Sequence, residues 1–263
     1  GIRDIGVTGV QTCALPICAC NKNKFPDPIS YFYTMIRLLP VFLLSLILFS
    51  ATGQKIDSAD LHMLKENEIT LLRQAEGIID DEKPEGRIRQ DSAFTRLLVR
   101  SLKTPYSFYF HFDSLYTISR LYAPDSSFRI ITWQLELTPG SYRQHGAIQV
   151  NTADGSLKLF PLIDRSETVA HYKDSIADNL GWMGAVYYNI IKKEYKGKAI
   201  YTLLGFDENN YLSDKKIIEI LDMSGEKPQF GKRIFSTGTY ARFVMEYKKI
   251  PFRSAVEEIN NLI

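Results

Sequence analysis

The sequence predicts an α+β fold: an N-terminal helical pair followed by an antiparallel β-meander, built as a sandwich or an incomplete barrel. Three observations predict it. Apolar residues recur at helical spacing in two stripes within residues 54–104. After Pro105 the texture changes to short aromatic and β-branched runs, and residues 105–263 read as a β-rich domain. Glycine-containing turns separate consecutive runs, and consecutive hairpins imply antiparallel pairing, because parallel strands need longer crossovers.

Residues 1–34 are set aside from the fold. Val7 to Ile17 (VTGVQTCALPI) resembles the conceptual translation of a sequencing adapter, so the segment is read as sequence foreign to the gene. It contains or immediately precedes all three cysteines, Cys13, Cys18 and Cys20. Three thiolates without a nearby histidine leave a tetrahedral zinc site one ligand short, and no metal or other cofactor is expected. Residues 35–53 are expected to be a signal peptide. Arg37 supplies the positive start, Leu38 to Phe49 form an apolar core short of the about 20 residues that span a bilayer, and Ala51 and Gly53 permit cleavage before Gln54. A periplasmic or secreted location follows as an expectation, with no integral membrane span in the mature form. That mature chain is free of cysteine, and it is long enough to bury a core without disulfides.

Of 32 basic and 30 acidic residues, four and two lie ahead of Gln54, leaving 28 of each sign. A formally neutral chain with interspersed charges argues against nucleic acid or anionic lipid as a partner.

The elements follow in order. Leu64, Leu71, Leu72, Ala75, Ile78 and Ile79 mark a first helix, with Ser58 or Asp60 as its cap. Asp80 to Gly86 reads as a break, and a second helix is expected from a cap at Asp91 or Ser92, presenting Phe94, Leu97, Leu98 and Leu102. Ser107 to Phe112 reads as a strand, and so does Phe128 to Leu137, closed by Pro139-Gly140. Hairpins are expected around Asp154-Gly155, Lys196-Gly197 and Ser224-Gly225. The polar stretch 164–179 reads as a loop or surface helix, and Tyr240 to Tyr247 as a strand. Ala255, Val256, Ile259 and Leu262 suggest a short closing helix.

The chemistry-bearing motifs are sparse. There is no H-E-x-x-H, no G-x-S-x-G, no Walker loop and no G-x-G-x-x-G. His111 and Asp113 would share one face of an extended strand, where a carboxylate orients an imidazole. The competing reading is a polar strand end with Phe110 and Phe112 packed inward. Trp133, Tyr142 and His145 lie close in sequence, as do Trp182, Tyr187 and Tyr188. Either group suits an aromatic platform for a sugar or peptide, or simply a core. Asp207 to Asp214 resembles a calcium loop. However, Leu212 stands where the sharp-turn glycine belongs and Ile218 where the bidentate glutamate belongs, so a hairpin tip is the expected structure. His62 and His171 are expected on the surface.

Several stretches carry a resemblance to known proteins. They are F-D-S-L at 112–115, S-S-F-R-I-I-T-W-Q at 126–134, G-A-I-Q at 146–149 and Y-T-L-L-G-F-D-E-N-N at 201–210. K-K-I-I-E-I-L at 215–221, F-G at 230–231 and R-F-V-M-E-Y at 242–247 complete the set. From Phe112 to Tyr247 the chain thereby resembles a family of exported Gram-negative bacterial proteins with no assigned activity. The resemblance implies an envelope or secreted protein and assigns no catalytic residue. The function expected is a non-enzymatic module that binds a small molecule or glycan, or that partners an envelope protein. The binding candidates are His111, Asp113, Trp133, Tyr142 and His145. The alternative is a hydrolase acting on glycans or peptides.

Overall fold

The computed structural model describes residues 56–249, apart from 170 and 237. The adapter-like stretch, the signal segment and the suggested closing helix lie outside the described residues. Two helices precede two antiparallel sheets that stay open, so the α+β expectation holds in its sandwich form.

Helix α1 spans Ser58–Asp80 and buries Leu64, Leu71, Ala75 and Ile78. Its cap is Asp57 rather than Ser58 or Asp60: the Asp57 carboxylate accepts the Ala59 N–H at 2.9 Å, and Ser58 is already helical. Helix α2 spans Pro84–Leu102, so it starts well before the expected cap at Asp91 or Ser92. Pro84 is not a breaker here. It occupies the first turn, where its missing N–H costs nothing and its fixed φ suits the helix. Gly86 then lets the Asp81 carboxylate close in, because a Cβ would lie 2.0 Å from it. Asp91 is consequently a buried residue in the middle of α2.

The stretch 107–112 is not a strand. Ser107–Tyr109 forms a 3-10 turn, and Tyr106 and Phe112 adopt φ of +59° and +54°, which breaks any extended run. Phe110 and Phe112 still pack inward, edge to face at 4.7 Å.

The first sheet is a meander of β1 (Ser119–Tyr122), β2 (Phe128–Thr138), β3 (Ser141–Val150) and β4 (Lys158–Ile163). β2 is buried on both faces. Ile131, Trp133 and Leu135 join Phe94, Leu98 and Leu102 in a core beneath the helices, while Phe128 and Ile130 join the core between the sheets. A strand with two covered faces must be apolar almost throughout, which is why F-R-I-I-T-W-Q-L-E-L scarcely alternates. The turn at Gly140, with φ of +71°, starts β3 at Ser141, directly after the close of β2. That start places Tyr142 and His145 on a strand.

The second sheet runs β5 (Ala177–Asp178), β9 (Gln229–Phe230), β8 (Ser213–Asp222), β7 (Lys198–Asp207), β6 (Val186–Tyr195). Lys196 and Gly197, with φ of +51° and +72°, form the expected two-residue hairpin turn between β6 and β7. The third hairpin is only a stub. After two residues of β9 the chain leaves the sheet, and β10 (Arg242–Lys248) takes up the remaining edge of β8. Ile148 and Leu162 of the first sheet meet Tyr187, Leu203, Ile217 and Leu221 of the second. Each such burial contributes roughly 1.5–3 kcal/mol. Within this layer runs a buried chain of hydrogen-bonded polar groups. Trp182 donates to the Tyr187 hydroxyl at 2.8 Å, Tyr187 donates to Glu219 at 2.6 Å, and Arg242 donates to Glu219 at 2.6 Å. Burial and the neighbouring Glu219 charge push the Tyr187 phenol well up. No helix among the described residues is long and apolar enough to cross a membrane.

Candidate ligand-binding cleft

The helices pack chiefly on β2 of the first sheet, beside the ends of β3 and β4. A cleft of about 500 Å3 opens there, between Thr95 of α2, the exposed ends of β3 and β4, and the turn Asp164 to Thr168 that follows β4. Its size falls in the range of small-molecule sites. A second lobe of about 250 Å3, reached past Tyr142, Gln144 and Ser166, is lined by Gly140, Asp207, Asn209 and Lys215.

One wall is built around a buried carboxylate. Asp91, 5% exposed, accepts the Trp133 indole N–H at 2.7 Å, and His145 Nδ1 lies 3.1 Å from the same oxygen. Trp133 and His145 are directly paired across β2 and β3, with ring centroids 5.7 Å apart. Phe94 packs edge-on against the indole at 5.1 Å. The imidazole is thus fixed through one nitrogen, while its side chain, 26% exposed, borders the cleft. A carboxylate holding Nδ1 selects the tautomer that leaves Nε2 free to accept a proton or a hydrogen bond.

The opposite wall is shaped by Asp164. Its two oxygens accept the backbone N–H groups of Gln144, at 3.0 Å, and Ser166, at 2.9 Å, which fastens the turn to β3. Gly184, with φ of +57°, leaves the room, because a Cβ there would lie 2.6 Å from the carboxylate. Between the lobes, burial and the nearby carboxylates of Glu208 and Glu136 push the Tyr142 phenol pKa up, and Lys249 lies over its ring at 5.4 Å. Gln144 bridges inward, donating to Asp207 at 2.6 Å and Gln134 at 2.9 Å. Burial raises the Asp207 carboxyl, against the opposing effects of the Asn209 N–H and Lys215.

Of the five candidate residues, Trp133, Tyr142 and His145 line the cleft and His111 and Asp113 do not. His111 is exposed and leans on the Tyr122 ring at 5.0 Å, and Asp113 is exposed on the following turn. Trp133 is itself a core residue, 4% exposed, whose edge reaches the cleft. The second aromatic group divides: Trp182 and Tyr187 are wholly buried, while Tyr188 is 51% exposed. His62 and His171 are exposed, and His62 sits 3.6 Å from Glu66. The calcium-like segment is a hydrogen-bonded turn. Asn210 accepts the Leu212 and Ser213 amides, and Asn209 accepts the Lys215 ammonium, so its oxygens are committed to the protein. Among the described residues no group of three or more His, Cys, Asp or Glu could hold a metal ion.

Arg143, Asp164 and Arg165 line the cleft with no motif to mark them, and Asp91 stands behind its wall. Asp91 had a signal of its own, since it lies three and seven residues before Phe94 and Leu98 and so on the buried stripe of α2. Compared with family models, curated proteins and solved structures, the chain matches none.

Proposed function

We propose that the protein is an exported, periplasmic or secreted binding module that takes a small molecule or a short glycan or peptide segment in the cleft beside β3. The observation that carries this reading is the anchoring of His145 and Trp133 on one buried carboxylate at the cleft wall. A buried acid in a helix interior is expensive unless fully partnered, and here its partners are two cleft residues. A fragment screen by NMR tests it. Binders should shift the Trp133 indole N–H and His145 ring signals; a screen whose hits all fall elsewhere would remove the cleft from consideration.

A hydrolase acting on glycans or peptides is the second reading, favoured by the same Asp91–His145 pair, which suits a general base. Ser166 and Thr168 line the cleft as hydroxyl groups. Turnover of peptide or glycan substrates that vanishes in His145→Ala would support it, and turnover unchanged in that variant would remove it. Export is tested by expressing the chain from Met35: N-terminal sequencing of the released product should find Gln54, and retention in the cytoplasm contradicts it.

A further inference from the structure

We infer that the cleft recognises an anionic end group, a carboxylate or a phosphate, carried on an apolar body; this rests on the ligand-binding reading above. Arg143 and His145 are two residues apart on β3 and so project from the same sheet face. That face also carries Trp133 and Leu135, their cross-strand partners. Arg165 lines the cleft from the turn beyond β4. Neither Arg143 nor Arg165 makes an ion pair or a side-chain hydrogen bond among the described residues. The buried arginines behave differently: Arg87, Arg129 and Arg242 are all engaged by carbonyls, amides or carboxylates.

Among the described residues neither arginine is paired with an acid of the cleft. Asp91 is committed to Trp133 and His145, and both oxygens of Asp164 hold backbone amides. Among the described residues Glu167 is the lining acid without a hydrogen bond or ion pair, and it is the internal competitor for a bound anion. Two guanidinium forks match carboxylate and phosphate geometry, and His145 offers a further nitrogen toward the same space. Pro161 and Ile163, both exposed, and the edge of Trp133 supply the apolar surface beside them, with Ile163 39% exposed.

Benzoate, phenyl phosphate and the neutral benzamide form the test set, followed by proton–nitrogen NMR at the Trp133 indole and the His145 ring. One or both anions should bind in the cleft about tenfold or more tighter than benzamide, the effect of a charged hydrogen bond. Which anion wins separates a carboxylate ligand from a phosphate ligand. Arg143→Gln and Arg165→Gln, both at exposed positions that leave the fold intact, should each weaken the anions about tenfold and leave benzamide unchanged. Glu167→Gln should tighten the anions. Benzamide binding as well as the anions, or anion binding indifferent to both arginine variants, overturns this inference while the ligand-binding reading stands. Silence of all three probes also overturns it, and the ligand-binding reading falls with it only if the fragment screen leaves the cleft silent too.

Discussion

The segment 107–114 with the strands beneath it, and the cleft beside β3, each gather arginine, histidine and aspartate against aromatic rings, and they use them in opposite ways. Around 107–114 the arginine is Arg129, fully buried and bonded at every nitrogen. Nε donates to Gln149 at 2.8 Å, Nη1 to the Phe110 carbonyl and the Tyr122 hydroxyl, and Nη2 to the Ser107 carbonyl at 3.0 Å. The rings of Phe112, Tyr122 and Phe108 surround it at 5.3, 5.6 and 5.8 Å. No carboxylate takes part. Arg129 therefore ties an irregular segment to the sheet through neutral acceptors, and His111 and Asp113 are left outside it, in solvent. At the cleft the buried group is the acid, and the arginines stand unbonded at the opening. A polar cluster whose bonds are all made to the protein holds the fold. One that keeps donors and acceptors facing a cavity can hold something else.

The largest effect expected is at Arg129. Arg129→Ala should cost about 3–5 kcal/mol, because four acceptors lose their donor inside a packed region. Urea unfolding at unchanged slope measures it, and a cost below about 1 kcal/mol would mean the segment does not depend on this residue. Asp91→Ala comes next at about 2–3 kcal/mol, since it leaves the buried Trp133 N–H unpaired, while Asp91→Asn should recover part of that. Equal costs at Asp91 and Asp113 would erase the contrast between the two regions.

Asp222 gives a calibration far from both. Burial opposes ionisation there, but Lys232 and the Ser224 hydroxyl and N–H outweigh it and bring the carboxyl down to about 2 from an ordinary 3.8. A lowered folded pKa contributes stability that is complete above the unfolded value and lost as pH falls. Asp222→Asn should therefore cost about 1–2 kcal/mol near neutrality, with the difference from the parent fading between pH 3.8 and about 2. A difference that stays constant over that window contradicts the ion pair. The smallest effects are those of His111→Ala and Asp113→Asn, each within about 0.5 kcal/mol and without influence on probe binding in the cleft.

Much of the fold was legible because it follows from periodicity and turn chemistry. The stripe from Leu64 to Ile78, the doubly buried run of β2 and the turn at Lys196-Gly197 each carry a local signal that the tertiary structure reinforces. The errors have local causes as well. Pro84 and Gly86 can begin a helix as readily as break one, and only the packing of Asp81 against Gly86 decides. The run S-F-Y-F-H-F has strand composition, yet Arg129, from another element, holds it in a turn. The candidate site was half legible. Trp133, Tyr142 and His145 were found by type and proximity. Asp91 was not, because its partners lie 42 residues away or further along the chain and become neighbours only when β2 and β3 fold beneath α2. Adjacency in sequence favoured His111 and Asp113, which the irregular backbone at Phe112 keeps off a common strand face.

The most direct test of the contrast is the ring tautomer of the two histidines, read from imidazole nitrogen shifts above neutral pH. His145 should carry its proton on Nδ1, held by Asp91, and lose that preference in Asp91→Asn, whereas His111 should show the ordinary preference for Nε2 in both proteins. A His145 ring indistinguishable from that of His111, or unchanged by Asp91→Asn, would contradict a cleft wall organised by Asp91.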